Sequence, residues 1–140
     1  MTTQVTATVN ARRGSSFLRL AISLQTLTIF LQAVSAGLLL TSSYGQALHS
    51  VGARVMYGAS MLYVLAAVLA WKPGGGSLRP VWHASGLLAL ASVQVVLGIA
   101  RLSPVHLPLG VLMFGLSVWA LARCSGAWGS SPLSVTGHRR

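Results

Sequence analysis

Neither aspartate nor glutamate occurs in the 140 residues, and Cys124 is the only cysteine. Without carboxylates the chain has no acidic general acid or base, no carboxylate ligand for a hard cation, and no internal counter-ion for its arginines. A lone cysteine makes no internal disulfide, and Cys124 reads as a small packing residue. No nucleophile sits in a recognisable pattern with a base, so an enzyme is the weakest functional class. A channel or proton-coupled transporter is poorly supported too, because intramembrane acids are missing. Charge is scarce altogether: 7% of the residues are charged, all of them basic, giving a net charge of +10. Those basic residues are scattered rather than gathered on one stretch, which argues against nucleic acid as a partner.

Apolar residues fill the space that charge leaves. They make up 54% of the chain, far above the soluble average, and place it in a lipid bilayer. Four apolar segments stand out, Phe17 to Ser42, Ala47 to Trp71, Pro80 to Ala100 and Val105 to Ala122. Each is near the roughly 20 residues that span hydrocarbon. The expected fold is all-α, an integral membrane four-helix bundle running up-down-up-down over residues 17–124. Residues 1–16 and 125–140 are polar and are expected to be disordered cytoplasmic tails.

Orientation follows from where the cations lie. Arg12, Arg13 and Arg19 precede or open the first helix, Lys72 and Arg79 flank the loop between the second and third, and Arg123, Arg139 and Arg140 follow the fourth. The positive-inside rule then puts both termini and the WKPGGG loop in the cytoplasm of a bacterial cell, with the bundle in the plasma membrane. A cleaved signal peptide is the competing reading of the start, with Val34-Ser35-Ala36 as the cleavage site. Against it, Leu38, Leu39 and Leu40 continue the apolar run past that point, making it longer than a typical h-region.

The chain reads as two copies of one helical hairpin. In each, a glutamine (Gln32, Gln94) precedes a glycine (Gly37, Gly98) on the outgoing helix. A histidine (His49, His106) then opens the returning helix, followed by a glycine (Gly52, Gly110) and, seven residues after the histidine, a methionine (Met56, Met113). Internal repeats of this kind are common in membrane folds. Within the second hairpin, Ser103 is the expected N-cap of the fourth helix and Pro104 its first residue.

The second and fourth helices run in the same direction, so His49 and His106 sit at the same end of the bundle. Diagonal axes in such a bundle are roughly 13 Å apart, a gap that two inward imidazoles can close on a haem iron from opposite sides. Equal depth is the condition. Counting to the next basic residue gives unequal depths, to Lys72 and to Arg123, whereas counting to Trp71 and Trp128 gives twenty-two residues in both cases. Tryptophan marks membrane interfaces, so the second count is preferred. Gly52, Ala59 and Gly110 lie along or beside the histidine faces and leave room for a flat ring. His83 has no evident partner and reads as a surface residue.

Arg54 and Arg101 fall on the histidine half of the bundle, against the charge trend, and their anion must come from outside the chain. Two readings stay open, lipid phosphate reached by snorkelling and the propionates of a haem.

At these residues the chain resembles one four-helix half of the haem A synthase family. Gln94-Val-Val-Leu-Gly98 followed by His106 carries the likeness best, and Gln46-Ala-Leu-His49 is similar to that family's Glu-x-x-His-Arg. The likeness runs from about Thr28 to Trp119. It implies haem ligation by His49 and His106. It does not imply the synthase reaction, because Gln46 stands where glutamate is expected, Ser50 stands where arginine is expected, and only one half is present. The chain is also similar to small uncharacterised four-helix bacterial membrane proteins with the same two histidines, a likeness that implies no activity. The leading expectation is therefore a bis-histidine protein of haem b, serving electron transfer or haem handling. The alternative is a cofactor-free interaction or assembly subunit, docking on a larger membrane complex or a second copy of itself through Gly- and Ala-rich faces.

Overall fold

The computed structural model describes residues 2–72 and 76–125, with side chains from residue 14 onward. Four helices account for the chain in order: α1 Thr2–Leu38, α2 Gly45–Trp71, α3 Arg79–Ile99 and α4 Ser103–Cys124. In α1 the part Gly14–Leu38, and in the others the whole helix, is long and apolar enough to cross a membrane. No strand occurs among the described residues. Each helix packs on the two next to it, α1 on α2 and α4, and α3 on α2 and α4. The result is the expected closed ring of antiparallel neighbours, with α2 and α4 on one diagonal.

Residues 2–16 differ from the expected disordered tail, because α1 already begins at Thr2. No proline interrupts this stretch. Once the membrane-spanning part is helical, extending it backwards avoids the costly nucleation step and adds one hydrogen bond for each residue fixed. The tail expected at 125–140 lies outside the described residues, apart from Ser125.

Small residues hold the helices together. Ala21, Ala66, Ala67, Ala84 and Ala91 are all buried to 1% exposure or less, which lets the backbones approach closely where lipid supplies no hydrophobic drive for association. Ile22, Tyr63, Leu87 and Met113 fill the remaining interior. At mid-bundle the Gln25 amide donates to Ser60 Oγ at 2.9 Å, tying α1 to α2. Large apolar side chains such as Leu20, Leu40, Val96 and Val111 point outward, as a bilayer-facing surface requires.

The two tight turns set the level of the histidines. Between α1 and α2, a side chain at Gly45 would run into the Leu38 carbonyl and come within 2.7 Å of Leu39 N. Only glycine lets α2 start this close to the end of α1. Between α3 and α4, Arg101 N–H donates to Gly98 O at 3.2 Å and Leu102 N–H to Leu97 O at 3.0 Å. This is a Schellman closure with Arg101 at φ 56, the left-handed position that glycine usually holds. The closure keeps Leu102 at the end of α3, so Leu102 becomes the N-cap of α4 and Ser103 its first helical residue, with no side-chain cap bond. The expected N-cap role of Ser103 is thereby corrected, and Pro104 moves one position into the helix.

A left-handed L-residue costs about 1–2 kcal/mol. Arg101→Gly is therefore expected to raise stability in detergent, by up to about 1 kcal/mol after the extra freedom of glycine in the unfolded chain is subtracted. Arg101→Ala gains nothing, since alanine keeps the Cβ. Chemical unfolding of the two variants side by side measures the difference.

Candidate functional site

His49 lies in the second turn of α2 and His106 in the first turn of α4. Their rings meet across the diagonal, with centroids 6.3 Å apart and planes inclined at 68°. The two histidines share one level, as the tryptophan count anticipates and the count to the basic residues does not; Trp128 itself lies outside the described residues. The backbones of α2 and α4 do not pack on one another, so the imidazoles bridge a gap that the helices leave open.

The surroundings of His49 fix its ring. Its Nδ1 is 3.0 Å from Ser35 Oγ on α1. That hydroxyl also lies 3.0 Å from the Gln32 carbonyl and 3.1 Å from Gln32 Oε1. Both Gln32 oxygens are acceptors only, and a serine has one proton to give. With that proton turned to Gln32, Ser35 Oγ accepts from the His49 Nδ1–H, and the lone pair falls on Nε2.

His106 is held by shape instead. A methyl at Gly98 of α3 would lie 3.5 Å from His106 Cε1 and 3.9 Å from Nδ1, so the ring rests against bare α3 backbone. Its Nδ1 is buried with no hydrogen-bond partner, and so is Oε1 of Gln94, one turn away on α3.

The repeat seen in sequence is therefore also a repeat in space. A side chain at Gly52 would collide with the Gln32 carboxamide, and one at Gly110 would come within 3.0 Å of Gln94 Nε2. Each glutamine thus lies against the glycine of its own hairpin. In this structure the space beside Gly52 and Gly110 is taken by the two glutamine carboxamides, and Ala59 belongs to the core at 5% exposure. One difference between the copies bears directly on the histidines. Three residues after Gln32 stands Ser35, and three residues after Gln94 stands Leu97, so only the first hairpin supplies a hydroxyl to its histidine.

Arg54 and Arg101 are both exposed, and neither side chain makes a hydrogen bond, ion pair or ring contact among the described residues. No contact joins them to the histidine pair. His83 differs from the surface residue expected. At the other end of the bundle its ring packs 5.7 Å from that of Trp119 and 6.4 Å from that of Tyr63, with Nδ1 buried and unpartnered. Arg123 covers the Trp119 ring at 4.7 Å. The signal for this was the helical spacing of His83, Leu87 and Gln94, which share one face of α3.

Among the described residues no group of three or more His, Cys or acidic side chains converges. A bare ion that needs four protein ligands, as zinc does, finds only two here. A macrocycle that brings its own four nitrogens needs only the two axial ligands. An imidazole nitrogen binds a metal at about 2.0–2.1 Å and sits about 1.15 Å from its own ring centre, so two rings on one ion have centroids about 6.4 Å apart. The observed 6.3 Å fits that spacing. Any inclination between the planes is compatible, because each ring turns freely about its own metal–nitrogen axis.

Comparison of the chain with protein-family models, with curated proteins and with solved structures gave no match in any of the three.

Proposed function

We propose that this is a membrane haem protein in which His49 and His106 are the two axial ligands of a b-type haem, serving electron transfer or haem handling. The observation that carries the reading is the 6.3 Å separation of the two rings across a diagonal that the helices themselves leave unpacked. Ser35 and Gln32 supply what a metal-binding imidazole requires, an acceptor for its second nitrogen that fixes tautomer and orientation. When bound, the haem supplies one-electron redox chemistry. The chain's own residues would hold it in an apolar setting with no acidic side chain near it.

Arg54 and Arg101 are proposed partners for the propionates, since both carry unpaired guanidinium forks and the chain has no acid to compete for them. A nearby cation disfavours the more positive oxidised iron. Its removal therefore lowers the reduction potential. Arg101→Ala is expected to lower the potential, or to weaken haem retention, more than Arg54→Ala, because Arg101 is five residues from His106 across a tight turn. Potentiometric titration of both variants decides it; unchanged potentials in both assign these arginines to lipid phosphate.

The test of the main reading is the visible spectrum of the detergent-purified protein after expression with haem supply. A Soret band that shifts on reduction is expected. A colourless preparation overturns the reading and favours the second one, a cofactor-free subunit of a larger complex. That second reading draws on α3 and α4, whose apolar faces are the least covered within the bundle.

A further inference from the structure

The two imidazoles are alike in sequence and unlike in their surroundings. His49 has its Nδ1 engaged by Ser35, backed by Gln32. His106 has its Nδ1 buried and unpartnered, and so has Gln94 its Oε1. In the second hairpin Leu97 takes the place of the serine. An outer partner on the far nitrogen is worth about 10- to 100-fold in metal affinity. The segment that carries His106 is also the less firmly made. Neither α2 nor α4 has a side-chain cap, but Pro108 inside α4 removes a backbone donor two residues on from His106.

From this asymmetry we infer that His49 is the anchored ligand and His106 the releasable one, so that the site admits a small uncharged exogenous ligand, of the carbon monoxide or nitric oxide class, in the place of His106. The inference rests on the haem reading. Swinging out frees His106 Nδ1 from a burial in which nothing pairs with it, and opens Gln94 Oε1 to water. With a haem held by the two histidines, the exchange would break one coordinate bond, from His106 Nε2, and form one, to the incoming ligand, with no electron or proton consumed.

Carbon monoxide added to the reduced, detergent-purified holoprotein tests this. His106→Ala is expected to keep most of its haem as a five-coordinate species that binds carbon monoxide at once, and His49→Ala to lose most of its haem. In the wild type, binding is slow and limited by departure of His106. Leu97→Ser, which restores the hydroxyl of the first hairpin, is expected to slow it about tenfold or more. Equal haem loss in the two alanine variants, or no effect of Leu97→Ser on the rate, overturns the inference while leaving bis-histidine ligation intact.

A second readout needs no haem. In 15N spectra of the apoprotein, His49 is expected as a single Nδ1–H tautomer and His106 as an exchanging mixture. Two equally fixed rings overturn the asymmetry; a colourless protein that shows it overturns the haem reading and the ligand exchange with it, while the difference between the two rings stands.

Discussion

Alanine at His49 or at His106 is expected to abolish the six-coordinate haem spectrum of the purified protein, and alanine at His83 to leave it in place. On the proposed assignment each of the first two changes removes half of the axial ligand set, and no third histidine, cysteine or acid converges on the pair among the described residues to take over. The loss is therefore close to complete at either position, although the two variants differ in how much haem they retain. His83 is the internal control. It lies fifteen residues before Gly98, the α3 position against which His106 rests, or about 22 Å along the helix. Its ring is packed between Trp119 and Tyr63, so His83→Ala destabilises the loop end of the bundle without touching the pair. Spectra are compared per mole of monomeric, folded protein in detergent. A normal spectrum in His49→Ala, or its disappearance in His83→Ala, refutes the assignment of ligands.

An equally large effect is expected from labelling. A cysteine placed after Gly74, in a Cys124→Ser background, is expected to resist a membrane-impermeant thiol reagent in intact cells and to react fully after permeabilisation. A cysteine at Ser43, in the turn between α1 and α2, is expected to react in intact cells. Eight basic residues lie toward the termini and the WKPGGG loop, and only Arg54 and Arg101 lie toward the histidines. No acidic residue blurs that asymmetry, and lysine and arginine near the ends of the spans set orientation. Labelling after Gly74 from outside reverses the arrangement and moves the histidine pair to the cytoplasmic side.

Helix number, order and diagonal placement were legible in the sequence because membrane burial is written in long apolar runs, and short connections force neighbours to be antiparallel. The pairing of His49 with His106 was legible for the same reason, once parallel helices were counted from a common interface. Other features depended on contacts between distant residues. Ser35 gave no sign of its role, since serine is unremarkable in a membrane helix until the ring fourteen residues later is seen to turn onto it. Gly52 and Gly110 were recognisable as space-makers, but the sequence did not say whose space. The expected N-cap at Ser103 failed because Arg101 takes up a left-handed conformation that no propensity favours for arginine. His83 was misread as a surface residue because its neighbours, Tyr63 and Trp119, come from two other helices.

The division of the pair between the hairpins also sets an order of events during synthesis. His49 leaves the ribosome fifty-seven residues ahead of His106, and its partner Ser35 is made earlier still. The first hairpin thus contains one imidazole together with its own hydrogen-bond partner, and nothing opposite it. Only when α4 docks against α1 and α3 does the second ring arrive. The pair is the last part of the molecule to be completed, and a chain that ends anywhere between α2 and α4 holds one of its two imidazoles and cannot form it.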